Sequence, residues 1–178
     1  MRKYESKLVA SSRLIADMLV NDIGQDQERF NEMFGLALLD RYPLSMRASR
    51  IVALCAEKYP ALVTSSLPLL FNKLAALKVD GVRRGFLKIL AELPLSLDEE
   101  QTGILADLAF TWLEDPKESV AVRYYSMEIL LHICLKFPEL SQELLYLLKN
   151  LHYEGTPGIV SRSRAIIKEL ENKGFTTL

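Results

Sequence analysis

Four isoleucines, Ile51, Ile89, Ile129 and Ile167, recur at intervals of 38, 40 and 38 residues. Leu44, Val82, Val122 and Val160 stand seven residues ahead of them and keep the same intervals. Lys58-Tyr59-Pro60-Ala61-Leu62 returns 78 residues later as Lys136-Phe137-Pro138-Glu139-Leu140, two periods on. A period of about 39 residues restricts the chain to a tandem array. In such an array each module is one supersecondary unit that cannot bury its apolar face alone, so neighbours stack to share a core.

The modules read as helices. Apolar residues fall at i, i+4, i+7, i+8 and i+11 in Leu44/Ala48/Ile51/Val52/Cys55, in Val82/Phe86/Ile89/Leu90/Leu93 and in Val122/Ser126/Ile129/Leu130/Ile133, and no segment keeps a strand's alternation. The fourth copy, Val160/Arg164/Ile167/Lys168/Glu171, keeps its isoleucine but loses much of the stripe. Prolines 43, 60, 94, 116, 138 and 157 mark helix boundaries, where the missing N–H is tolerated. Pro68 falls inside a helical pattern and predicts a kink or a displaced start. The pattern predicts nine helices, near 4–21, 26–40, 44–58, 61–77, 81–92, 98–114, 118–136, 139–152 and 158–172. The last of these, rich in Arg162, Arg164, Lys168, Glu169 and Glu171, reads as a polar cap.

Composition removes several function classes. At 178 residues, 49% of them hydrophobic, the chain can build a core without metals or disulfides. Its net charge of −1 gives no general attraction to nucleic acid or to an anionic membrane. No apolar run is long enough for a membrane span. The basic start, Met1-Arg2-Lys3, leads into Glu5, Lys7, Arg13 and Asp17 rather than an apolar core, so no targeting segment is expected. Cys55 and Cys134 lie in apolar helical stretches and are expected as buried free thiols, which fits the cytoplasm.

Sites of chemistry are not apparent. Asp98-Glu99-Glu100 opens a helix, where acids cap the N-terminus. His132 and Cys134, two apart on a helix, cannot face one metal. His152 ends a helix and suits its free carbonyls. Gly81-Val82-Arg83-Arg84-Gly85 lacks the strand and spacing of a phosphate loop. Trp112, beside Leu108 and Ala109, reads as core. No catalytic residue, metal site or cofactor is expected.

Val82-Arg83 and Asp115-Pro116-Lys117-Glu118-Ser119-Val120-Ala121-Val122-Arg123 resemble the turn and hydrophobic-Arg opening of the second helix in the HEAT family of helical repeats. The pattern degenerates at Leu44-Ser45 and Val160-Ser161, where the arginine moves to Arg47 and Arg162. The resemblance implies an all-α, right-handed α-α superhelix of about four helix pairs plus an N-terminal helix. It would form one domain over 1–178, with a cap near 4–21 and repeats near 26–58, 61–93, 98–136 and 139–173. It also implies that second helices line the inner surface.

Each second helix carries arginine in its first turn: Arg47, Arg83 with Arg84, Arg123, and Arg162 with Arg164. A cation there opposes the helix dipole, so a partner is expected. Pairing with Asp40, Asp80 or Asp115 is the structural expectation, and an anion-binding ladder is the functional one.

On a helical wheel, positions two, six and nine after each leader lie opposite the core stripe. They hold Met46, Arg84, Tyr124 and Arg162, then Arg50, Lys88, Glu128 and Ile166, then Ala53, Ala91, Leu131 and Glu169. Arg50, Arg84, Lys88, Tyr124, Glu128, Leu131 and Arg162 are therefore the candidate partner-binding residues, with Tyr124 and Leu131 burying area and the cations matching charge. The expected function is a non-enzymatic adaptor for a protein partner, as a monomer or weak homodimer.

Nucleic acid is the less favoured partner. Some HEAT-like stacks are DNA glycosylases, and Glu128 with Tyr124 and Tyr125 is the nearest carboxylate-aromatic set. That segment is acidic, however: residues 98–155 carry eleven acidic and four basic residues, net −7, whereas residues 44–97 carry eight basic and three acidic, net +5. The uneven charge would also suit self-association through an end of the stack.

Overall fold

The structure, a computed structural model, describes residues 4–175 apart from the side chains of 152–154. Residues 1–3 of the basic start and the side chain of His152 thus lie outside the described residues. The elements are α1 (Arg13–Ile23), α2 (Gln27–Ala37), α3 (Leu44–Lys58), α4 (Ala61–Thr64), α5 (Leu67–Leu74), α6 (Asp80–Glu92), α7 (Glu99–Glu114), α8 (Val120–Lys136), α9 (Ser141–Glu154) and α10 (Pro157–Asn172). Single 3-10 turns occupy Glu5–Lys7 and Pro138–Leu140, and no strand occurs among the described residues. The helices gather into two compact units, Met1–Ser96 and Leu97–Leu178.

In the first unit α3 is the central helix, packed by α1, α2 and α6. Ile51 and Ile89 are buried on this axis, as the period requires. The seam between α3 and α6 is built from small residues. Ser49 is buried on α3, and a Cβ added to Gly85 on α6 would lie 3.0 Å from Ser49 Oγ and 3.1 Å from its Cβ. Ser49 Oγ donates to the Met46 carbonyl (3.0 Å) or to that of Gly81 (3.2 Å), so the hydroxyl is satisfied where the backbones approach. The glycines that fail as a phosphate loop therefore serve close helix packing.

The first helices of successive modules are joined by polar bonds. Gln27 Nε2 donates to the Leu62 carbonyl at 3.0 Å, and Ser66 Oγ donates to Asn31 Oδ1 at 3.2 Å. The helix expected over 61–77 divides into α4 and α5, with Pro68 in the first turn of α5, so the displaced start is what occurs.

The N-terminal helix expected over 4–21 begins only at Arg13. Ser12 caps it, its Oγ accepting the Ile15 N–H at 3.2 Å. The preceding residues form a strap. Tyr4 is fully buried; its hydroxyl donates to Asp22 Oδ2 at 2.7 Å and its N–H to Glu32 Oε1 at 3.0 Å. Arg47 Nη1 donates to the carbonyls of Leu8 and Val9, and Arg50 Nη1 to that of Ser11. Carbonyls that a helix would bond internally are satisfied by arginines about 38 residues away in sequence, which local propensity cannot reveal.

The second unit repeats the scheme around α8, which packs against α7, α9 and α10. Ile129 and Ile167 are buried, as are Trp112 and Cys134. Asp98 caps α7 through a capping box with Gln101. The buried face of α10 differs from the aligned one. Ile159, Ser163, Ile166, Ile167 and Leu170 point inward, while Arg164, Lys168 and Glu171 are exposed. The helix is turned by about one residue, roughly 100°, from the register of the leaders, so Ile159, Ile166 and Leu170 carry its apolar face where the repeat alignment places Val160, Ile167 and Glu171.

Candidate docking surface on the second helices

The arginines of the second helices bond mainly to main-chain oxygen. Arg47 reaches the strap carbonyls, and Arg123, itself buried, donates from Nε to the Leu113 carbonyl at 3.1 Å. Arg83 Nη2 donates to the Leu77 carbonyl at 2.5 Å. A first-turn arginine folded back in this way satisfies free carbonyls near the end of the preceding helix. Asp40, expected as an arginine partner, has another role: its Oδ2 and Oδ1 accept the N–H groups of Lys78 (2.7 Å) and Val79 (3.0 Å) just ahead of α6. Asp115 Oδ1 accepts the Lys117 N–H at 2.8 Å within its own turn.

The candidate partner-binding residues fall into two sets, one per unit. In the first, Arg84 is exposed on α6. Lys88 on the same helix is ion-paired with Glu57 of α3 and lies 3.7 Å from Glu92 Oε2. Arg50 is exposed but its guanidinium holds the strap at Ser11, so its role is partly structural.

In the second unit three candidates come together. Arg162 of α10 grips Glu128 of α8 with two bonds, Nε to Oε1 and Nη2 to Oε2, the latter 2.6 Å. Tyr124, one turn before Glu128, is close enough for its phenol to act with Glu128 in raising the Arg162 pKa. Tyr124 and Tyr125 meet edge to face, with ring centroids 5.5 Å apart. Both Glu128 carboxylate oxygens accept from one edge of the guanidinium, which leaves a poor geometry for a general base.

Leu131 does not join this surface. It is 3% exposed, and Ala53, Ala91 and Ile166 from the same wheel positions are buried too. A second helix here is covered by its own first helix and by lateral neighbours, so burial spreads well beyond one stripe. The open strip of α8 runs instead through Val120, Tyr124, His132 and Leu135, with the mostly buried Glu128 between Tyr124 and His132. Val120 (50% exposed), Tyr124 (38%) and Leu135 (36%) put apolar area into solvent there. Val120, His132 and Leu135 were missed because α8 is apolar nearly all round, and the period alone cannot say which apolar residues are covered.

The free cysteines are inert by environment. Burial pushes the Cys55 and Cys134 thiols up to about 12. Among the described residues no group of three His, Cys, Asp or Glu side chains could hold a metal, and no helix is long and apolar enough to cross a membrane.

Helix pairs that share a core, with an amphipathic strip left open on a second helix, define a helical-repeat protein. A family model for the HEAT repeat domain matches residues 6–170. The chain belongs to the HEAT repeat family. No curated protein and no solved structure matches it.

Proposed function

We propose that this protein is a non-enzymatic scaffold that binds a partner protein along the exposed strip of its second helices. HEAT repeats generally mediate protein–protein interaction, which makes this the natural class. The observation that carries the reading is the α8 strip. Tyr124 and Leu135 expose apolar area beside the Arg162–Glu128 pair, which is held in place by bidentate bonding. Tyrosine and arginine serve as interface anchors because they bury large area at low entropy cost and keep a polar contact. Arg84, exposed on α6, supplies charge matching in the first unit. The cytoplasm, with its reduced thiols, is the compartment that fits the two buried cysteines.

The test compares native-lysate pull-downs by the wild type, by Tyr124→Ala/Leu135→Ala and by Tyr146→Ala, which removes a more exposed tyrosine from α9. A protein bound by the wild type and by Tyr146→Ala, but lost from the double variant, supports the reading. Equal capture by all three sinks it. So does salt-dependent retention on DNA that Arg84→Glu abolishes, which would make the basic first unit a nucleic-acid site instead.

A further inference from the structure

The second unit has a further opening, away from the strip just described. It lies where the first turns of α7 approach the end of α8 and the Pro138–Leu140 turn, and has a volume of about 350 Å³. That is within the range of sites that hold apolar ligand groups, about 300–1,000 Å³. Ala106, Ile133, Phe137 and Leu140 make its apolar lining, and Glu99 and Glu139 bring carboxylates to it.

Three observations characterise what would fill it. First, the groove is open by virtue of a missing side chain. Gly103 lines it from the surface of α7, and a Cβ built there meets no atom within 4 Å. Helix interiors disfavour glycine by about 1 kcal/mol relative to alanine, and no turn or close packing at this position accounts for it.

Second, the rim is acidic. Glu99 and Glu139 are exposed, Asp98 and Glu100 flank the first, and Glu143 follows the second. Lys136 is the nearby cation in sequence, and its Nζ lies over the Phe137 ring, 5.2 Å from the centroid. Third, negative potential extends to the α8 end of the groove. Glu143 and Glu139 add to burial in raising the Cys134 thiol. The α8 C-terminus contributes the negative end of its dipole, while the positive end of α7 is capped by Asp98.

We infer that this groove is a peptide-docking site for a partner segment that inserts a large apolar side chain beside Gly103, with flanking lysine or arginine residues pairing with Glu99 and Glu139. Charge complementarity selects this occupant over an acidic or neutral one. A neutral apolar segment would bury part of the acidic rim without compensation, and an acidic one would be repelled. The site is separate from the α8 strip and does not depend on the function proposed for it.

The test is peptide-display selection with a random 12-residue library on the full chain, followed by fluorescence anisotropy with the enriched peptides. Gly103→Trp grows into the groove from an exposed position where a Cβ meets no atom within 4 Å, and thermal melting should show its fold intact. Glu99→Lys/Glu139→Lys reverses the rim, and Glu114→Lys is a charge control at the other end of α7. The expected result is a consensus of a large apolar residue flanked by Lys or Arg. Affinity should fall at least about tenfold in Gly103→Trp and in the rim variant, and stay within about twofold in Glu114→Lys. No enrichment, an acidic consensus, or binding that Gly103→Trp leaves unchanged overturns the inference. A light-scattering mass that drops from dimer to monomer on Gly103→Trp also overturns it, because the occupant would then be a second copy.

Discussion

Arg162 and Glu128 hold two successive modules of the second unit together through a guanidinium–carboxylate fork. Their side chains are 28% and 15% exposed, so the pair is partly screened yet strongly oriented. The fork joins α8 to α10 and raises the Arg162 pKa, chiefly through the hydrogen bonds to Glu128.

Removing the arginine should therefore cost more than an ordinary surface pair. Arg162→Ala leaves a mostly buried carboxylate alone and is expected to lower the unfolding free energy by about 1–3 kcal/mol. Arg162→Lys keeps the charge but loses the fork and should fall between. Urea titrations of both variants, of Glu128→Ala and of the double alanine variant check this; a coupling energy near zero would contradict the packing role.

Asp40 has φ of 53° and holds the loop ahead of α6 through the Lys78 and Val79 N–H groups. Asp40→Ala should cost about 1–2 kcal/mol, since two donors lose their acceptor and alanine tolerates this backbone poorly. Asp40→Asn, which enters the left-handed region more readily and keeps one oxygen acceptor, should cost less. Thermal melts of the two variants distinguish this loop-holding role from simple charge removal, which would affect both equally.

At the α3–α6 seam, Gly85 leaves no room for growth against Ser49. Gly85→Leu should destabilise the chain by about 1–3 kcal/mol although leucine is the better helix former. Adding Ser49→Gly should recover part of the loss by removing the obstructing side chain. Failure of the second change to help would mean that the two helices separate rather than clash.

Alkaline stability follows from the thiols. Burial, the first cause, raises Cys55 and Cys134 from 9.0 to about 12, so the folded chain holds these protons more tightly than the unfolded chain does. Their contribution is full below pH 9 and is lost as pH rises from 9 to about 12. The slope should approach about 1.4 kcal/mol per pH unit for each thiol. Cys55→Ala/Cys134→Ala should flatten the fall, and a disulfide-exchange reagent at pH 8 should leave the folded wild type unmodified until denaturant is added. Tyr4, raised by burial and by its bond to Asp22, acts in the same direction at higher pH.

The 39-residue beat, the buried isoleucines, the capping of α7 by Asp98 and the core position of Trp112 could be read from residue order. Each follows from local periodicity or from a short-range cap, physics that acts within one or two turns of chain. The candidate docking residues were less legible. Tyr124, Glu128 and Arg162 share a face because an i, i+4 step and the stacking of α10 on α8 bring them together, and the first half of that was visible in the chain. Leu131 was misplaced and Leu135 overlooked because exposure depends on how many neighbours surround a helix, and helical period counts only one.

The tertiary structure alone decided the remainder. It placed Arg47 and Arg50 on the carbonyls of an N-terminal strap, gave Asp40 to the α6 entry and turned α10 by a residue. The bonds of Arg47, Arg50 and Asp40 join groups 38–39 residues apart, across the step from one module to the next. A repeat sequence states that modules stack because each has an apolar face it cannot cover. Which polar atoms meet when they do is set by the offset and rotation of one helix layer on another, a property of the packed core that no single module carries.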